Sequence, residues 1–413
     1  MHPGIEHPGS IAADASLVIG AVDVFTTGNP HPLRHSERCT TTGKKDWSGG
    51  PRIKRPYVAS VSVRWSHSPE GRGSTTRTLI KEDSLAQKYT AQDLVGIVGI
   101  VPTPSTPDSA RWDTDNTIET SVTTAMIQGA APAVDALLTL GTFGEGATVT
   151  ELEVAAFMRI VVSESGKTPV FAGATTLNTR DTIRRARMLL DIGVDGLFLG
   201  RPMWCEMDDD AIVGFYSDIA EALPEVPVIL YDNPSAFKSK LSPALYSRLS
   251  EIPTLIGAKY TFLGPQYADD VEACGDRIRL LPMDADWLDA HRIVGDAAAA
   301  CWSPSAACGT EPLERLRNAM VSSDWVAAEA ISQEIKYAYS TLMPQGDFAS
   351  FSRYNIPLDK ARIAAAGVID PGPPRPPYQT APQSYLDGAT EAGTRWAELR
   401  SSYTVGAVAG PAR

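Results

Sequence analysis

From residue 94 onward the chain alternates between two hydrophobic rhythms. Short, continuous apolar runs occupy 95–101, 136–140, 169–173, 196–199, 228–231, 255–259, 278–282 and 299–302. Between most of them apolar residues recur at helical spacing, over 118–128, 151–165, 180–192, 210–223, 243–250 and 265–274. Strands that are apolar throughout belong to a parallel sheet covered by helices, because both of their faces are buried. Eight such units predict an α/β fold, a (β/α)8 TIM barrel, rather than an open doubly wound sheet. The last two units are the least regular, since the helical stretch near 287–294 is short.

Helical periodicity continues over 313–321, 325–342 and 360–366. A proline-rich connector at 371–377 then interrupts it, and an amphipathic stretch follows at 384–401. This last stretch is expected to pack on the barrel or on a neighbouring subunit. Residues 312–413 are therefore read as a C-terminal helical appendage and tail without chemistry of its own, and 89–311 as the barrel with the active site. Residues 1–88 show neither rhythm and are rich in Gly, Pro, Ser, Thr and Arg. They predict a low-order, largely disordered N-terminal extension. Read-through from upstream of a later true start is a second explanation for that segment.

Charge narrows the function. The chain carries a net −12, but residues 1–90 hold 12 Lys+Arg against 8 Asp+Glu, and the remainder 25 against 41. An acidic body argues against nucleic acid as a partner, since phosphate contacts need clustered cations. No apolar run approaches a membrane span, and the N-terminus lacks a signal-peptide pattern. Five cysteines without a CxxC pair predict a reducing, cytoplasmic setting. Five of the six histidines fall in the first seventy residues, so histidine-based catalysis and a multi-histidine metal site are not expected in the barrel.

In a TIM barrel the chemistry lies at the C-terminal ends of the strands. The sixth run ends in Gly257-Ala258-Lys259. A buried lysine loses its proton more readily and becomes a nucleophilic amine suited to Schiff-base formation. A lysine with its head in water is the alternative. Among the six lysines after residue 90, only Lys259 ends an apolar strand on the catalytic face. After the second run, Gly141-Thr142-Phe143-Gly144-Glu145-Gly146 forms either an anion-binding nest or an ordinary glycine-rich turn. Tyr231, at the end of the fifth run, is either a proton shuttle or a buried phenol with a hydrogen-bond partner. Trp204, after the fourth run, either walls a pocket or packs in the core.

Taken together, these segments resemble the class I, pyruvate-dependent aldolases of the dihydrodipicolinate synthase / N-acetylneuraminate lyase superfamily over roughly residues 92–368. The matching elements are Gly141–Glu145, Tyr231-Asp232-Asn233-Pro234 and Gly257-Ala258-Lys259. Within the superfamily the chain looks most like the trans-o-hydroxybenzylidenepyruvate hydratase-aldolases. That closer likeness rests on Pro202-Met203-Trp204, Asn233-Pro234-Ser235-Ala236-Phe237-Lys238, Arg353-Tyr354-Asn355-Ile356-Pro357-Leu358 and Pro373-Pro374-Arg375-Pro376-Pro377-Tyr378. The Tyr-Asn-x-Pro-x-Arg form of typical dihydrodipicolinate synthases is missing.

The resemblance implies a hydratase-aldolase that converts an arylidene-pyruvate and water into an aromatic aldehyde and pyruvate. It implies Lys259 as the Schiff base and Tyr231 as the proton carrier, with no metal and no organic cofactor. Thr142 and Phe143 would bind the carboxylate; Trp204, Asn233 and Asn355 would position the ring, its hydroxyl or the attacking water. It also implies a homotetramer whose partner is the small aryl-substituted pyruvate. The alternatives are a sugar-acid lyase or dihydrodipicolinate synthase-like aldolase, and a non-catalytic keto-acid-binding barrel.

Overall fold

The computed structural model describes residues 88–406. The expected low-order extension lies, but for its last residue, outside the described residues.

Eight strands form the barrel: β1 (Gly96–Ile100), β2 (Ala136–Leu138), β3 (Val170–Gly173), β4 (Gly196–Leu199), β5 (Val228–Asp232), β6 (Leu255–Tyr260), β7 (Arg279–Leu281) and β8 (Ala300–Ser303). All neighbours pair in parallel, in the order β7-β6-β5-β4-β3-β2-β1-β8. A parallel bridge between Met283 and Trp302 brings the two outer strands together. Every residue of β6 is buried, as the unbroken apolar run requires.

Around the strands lie α1 (Thr120–Ala130), α2 (Glu151–Glu164), α3 (Thr179–Ile192), α4 (Asp209–Ala222), the single turn α5 (Pro234–Phe237), α6 (Pro243–Leu249), α7 (Tyr267–Cys274) and α8 (Trp287–Val294). Their starts are chemically marked. Thr150 and Glu153 form a reciprocal capping box on α2, while Asn178 and Asp208 cap α3 and α4. The first helix starts two residues later than its apolar pattern, because the Glu119 carboxylate accepts from the Ser121 N–H and caps it there.

The appendage contains α9 (Glu311–Val321), α10 (Trp325–Tyr339), α11 (Phe348–Arg353), α12 (Asn355–Ala365) and α13 (Gln383–Gly406). Helix α12 begins five residues before the predicted 360, since Pro357 is accommodated in a first turn, where its missing N–H costs nothing. Helix α13 packs against α12, α10 and α9 of the same chain. Its buried Trp396 donates to the Gly309 carbonyl at 3.0 Å. Among the described residues no helix is long and apolar enough to cross a membrane.

One buried ionic cluster joins appendage to barrel. Glu145, in the loop after β2, is fully buried and left-handed (φ 55°). Its carboxylate receives Lys360 from α12 at 2.7 Å and Arg375 from the connector. Arg375 also donates to the carbonyls of Thr103 and Thr117 at 3.1 and 2.8 Å. Burial lowers the Lys360 pKa to about 8 against the opposing pull of Glu145.

Removing one partner of a buried ionic group strands the others in low dielectric. Glu145→Ala is therefore expected to cost about 3–5 kcal/mol, read from the urea midpoint. A loss below about 1 kcal/mol, the range of surface pairs, would contradict the structural weight given to this cluster.

Candidate active site

Lys259 occupies the fifth position of β6, and its backbone partner across β5 is Tyr231. The strand pairing thus places amine and phenol side by side. Lys259 is 6% exposed, and its Nζ lies 4.5 Å from the Tyr231 ring centroid and 3.9 Å from that of Trp302. Burial lowers the Lys259 pKa, with Tyr231, Asp359 and Asp232 acting the other way. A lysine head in water is thereby ruled out. The arrangement suits a neutral, nucleophilic amine.

Tyr231 is fixed on several sides. Its Oη lies 2.8 Å from Thr142 Oγ1 and accepts from Asn233 Nδ2 at 3.1 Å. The rings of Phe198 and Phe237 pack on it at 4.7 and 5.4 Å between centroids. Phe237 reaches this position because residue 200 is glycine; a Cβ there would lie 1.9 Å from the ring. Asn233 is buried, and its Oδ1 caps α5 by accepting the N–H groups of Ser235 and Ala236. Its amide therefore holds Tyr231 in place, with its oxygen engaged by two donors.

The loop after β2 brings Thr142 and the buried Phe143 to the same strand-end face. Among the described residues neither of their backbone N–H groups donates to a protein acceptor. Two open N–H groups beside a hydroxyl are donors of the kind that suit an anion.

These groups line a cavity of about 700 Å³ shared by Lys259, Tyr231, Thr142, Phe143, Asn233 and Asn355. Much of its remaining wall is aromatic or aliphatic, with Phe262, Phe348 and Phe351 among the contributors. Such a size and lining suit a small, flat, largely apolar ligand. A second cavity, of about 240 Å³, lies before β6, among Thr90, Gln92 and Arg277. That is the face of a barrel associated with stability, not chemistry.

Trp204 is not brought to the site. It is 78% exposed, does not line the cavity, and offers its carbonyl to Lys238 Nζ at 2.6 Å. The indole at the cavity is that of Trp302 in β8, anchored by its Nε1 donating to the Tyr260 carbonyl at 2.9 Å. In the sequence Trp302 belongs to an apolar run and reads as core. The appendage, read as without chemistry of its own, supplies from α12 both Asn355, which the resemblance implied, and the buried Asp359, which sequence reasoning missed. Asn355 Nδ2 donates to Asp359 Oδ2 at 2.7 Å.

The Dihydrodipicolinate synthetase family pattern matches residues 97–381, and the chain belongs to that family. It is similar to the trans-2'-carboxybenzalpyruvate hydratase-aldolase of Nocardioides sp. (strain KP7), with 43% identity over 76% of this chain and 96% of that one. It is also similar to the trans-O-hydroxybenzylidenepyruvate hydratase-aldolase of Pseudomonas putida, with 42% identity over 77% of this chain and 97% of that one. Among solved structures it resembles PhdJ bound to a substrate intermediate, with a TM-score of 0.75 and 44% identity, covering 77% of this chain and 99% of that one.

The lowered Lys259 pKa sets a pH dependence. Borohydride trapping of pyruvate, mapped to the Lys259 peptide, should rise with pH through an inflection below the ordinary lysine value of about 10.4. An inflection at or above that value would contradict the burial argument. Unfolded Lys259 binds a proton that the folded residue releases between the two pKa values. Its contribution to stability therefore increases as pH rises through that window.

Proposed function

We propose that the chain is a Schiff-base hydratase-aldolase, a carbon–carbon lyase. It would convert a hydroxybenzylidene- or hydroxynaphthyl-substituted 2-oxobutenoate and water into an aromatic aldehyde and pyruvate, as a step of aromatic hydrocarbon breakdown. The observation that carries this reading is the buried Lys259 amine between Trp302 and Tyr231, in a cavity with a carboxylate seat and aromatic walls. The names of the similar hydratase-aldolases support the substrate class.

Lys259 adds its nitrogen lone pair to C2 of the keto acid, and loss of water leaves an iminium. Water adds to C4, the ring-bearing carbon, and gives up a proton. The C3=C4 pair shifts to C2–C3, and the iminium π pair moves onto nitrogen as an enamine. Protonation at C3 restores the iminium. Loss of the C4 hydroxyl proton then breaks C3–C4, releasing the aldehyde and returning an electron pair to the enamine. A proton at C3 and hydrolysis free pyruvate and the amine. The lysine is the electron sink for both stages, so the reading calls for no metal or organic cofactor.

Thr142 and Phe143 hold the carboxylate through their N–H groups and the Thr142 hydroxyl. Tyr231 carries protons at the carbinolamine and enamine stages. A sugar-acid lyase would need a wall of hydroxyl-binding groups where Phe237, Phe262 and Trp302 stand. After the family resemblance, we place the protein in the cytoplasm as a homotetramer, which a solution mass near four chains would support and a monomer mass would contradict.

Tyr231→Phe tests the proton carrier. Aldehyde release from a benzylidene- or naphthylidene-pyruvate should fall by about 10²–10⁴-fold, with borohydride trapping of pyruvate retained. Unchanged aldehyde release would remove Tyr231 from the chemistry. Absence of any aldehyde from the parent enzyme on one-ring and two-ring substrates would remove the proposed reaction.

A further inference from the structure

The charged side chains that line the cavity are Lys259, Asp286, Arg353 and Asp359. Lys259 is the amine of the proposed chemistry, and the Asp359 carboxylate already accepts from Arg362 and Asn355. Arg353 is exposed on α11 and interacts electrostatically with Asp347. Asp286 has no such commitment. It stands at the N-cap of α8, where an aspartate ordinarily accepts from the first helical N–H groups, yet its side chain caps nothing. Among the described residues no donor meets its carboxylate.

The neighbouring acid of the same turn shows the contrast. Asp284 is fully buried, and its carboxylate is taken up by Ser303, Tyr339 and the Ala285 N–H. Asp286 is half-buried and lines the cavity. Burial raises its pKa; Lys336 pulls the other way, and Asp289 adds to the rise. Lys336 gives its ammonium to Asp289 at 2.6 Å. A half-buried carboxylate without a donor is costly, so a donor is what this position lacks.

Topology places that donor on the ligand. Leu281, the last residue of β7, is the register partner of Lys259, and Asp286 follows in the next turn. Strand β7 adjoins β6 and is separated from β2 by β8 and β1. A keto acid with its carboxylate at Thr142 and Phe143 and C2 on Lys259 extends its ring away from β2. Asp286 stands on that side, with Met283 and Trp302.

We infer that Asp286 is a specificity-determining residue: its carboxylate accepts the hydroxyl of the substrate's ring and repels a ring that carries a carboxylate. The inference rests on the hydratase-aldolase reading and adds to it the group that selects among substrates. An ionised carboxylate accepts and cannot donate, so a phenol satisfies it and a second carboxylate does not.

Aldehyde release is compared for three benzylidenepyruvates, with an ortho hydroxyl, with no ring substituent and with an ortho carboxylate. The parent enzyme, Asp286→Ala and Asp286→Asn are each assayed on all three for kcat/KM. Ratios within one enzyme cancel differences in folded fraction, and changes of ratio between enzymes cancel the substrates' own reactivity. In Asp286→Ala the hydroxylated-to-unsubstituted ratio should fall by about 10- to 100-fold, the scale of a hydrogen bond to a charged group. In both variants the carboxylated-to-unsubstituted ratio should rise by about 10-fold or more.

A ratio that stays at its parent value in either comparison would overturn the inference. A uniform loss on all three substrates has that meaning too, since it would tie Asp286 to the common chemistry and not to the ring. Absence of aldehyde from all three with the parent enzyme would overturn the hydratase-aldolase reading and this inference with it. Release by the parent enzyme with unmoved ratios overturns this inference alone.

Discussion

A primary amine held out of water at the end of an apolar strand is the constraint around which the site is built. Transfer of an ammonium into such surroundings costs several kcal/mol, so the neutral form gains at its expense. The β5–β6 register puts Tyr231 beside Lys259, and β8 lays the Trp302 ring against the amine. Aromatic faces attract what positive charge remains without supplying a proton acceptor. The same surroundings that favour a free amine also favour a flat ligand, so activation and substrate preference share one origin.

That environment depends on elements far apart in the chain. The loop after β2 carries both the open N–H groups of Thr142 and Phe143 and Glu145, whose buried carboxylate binds Lys360 of α12 and Arg375 of the connector. Buried ions are poor sources of net stability but good fixers of geometry when all partners are satisfied. Here the cluster locks the appendage over the open end of the barrel. Asn355 and Asp359 of α12 are thereby held at the cavity although they lie outside the strands.

The barrel was legible because each strand is a continuous apolar run and most helices announce their starts with capping residues. Lys259, Tyr231 and Thr142 were legible as polar groups at strand ends, and the structure brings all three together. Trp302 was hidden by its own hydrophobicity, since a tryptophan inside an apolar run has no feature that separates a cavity wall from core. Trp204 stood out for the opposite reason, lying in a polar loop, yet its ring faces solvent. Asn233 was recognised by its position, but its two-sided engagement depends on the fold of α5. Asp359 lay in a stretch just before the predicted helix, and its burial follows only from the docking of α12, a contact between segments that periodicity does not encode.

The central claim is that one buried lysine binds pyruvate covalently while the loop after β2 holds its carboxylate. A crystal structure of the protein trapped with pyruvate addresses both halves at once. Continuous density from Lys259 Nζ to the keto carbon, with the carboxylate on the N–H groups of Thr142 and Phe143, is the predicted result. Pyruvate bound without a covalent link, or joined to Lys259 with its carboxylate directed elsewhere, would contradict it.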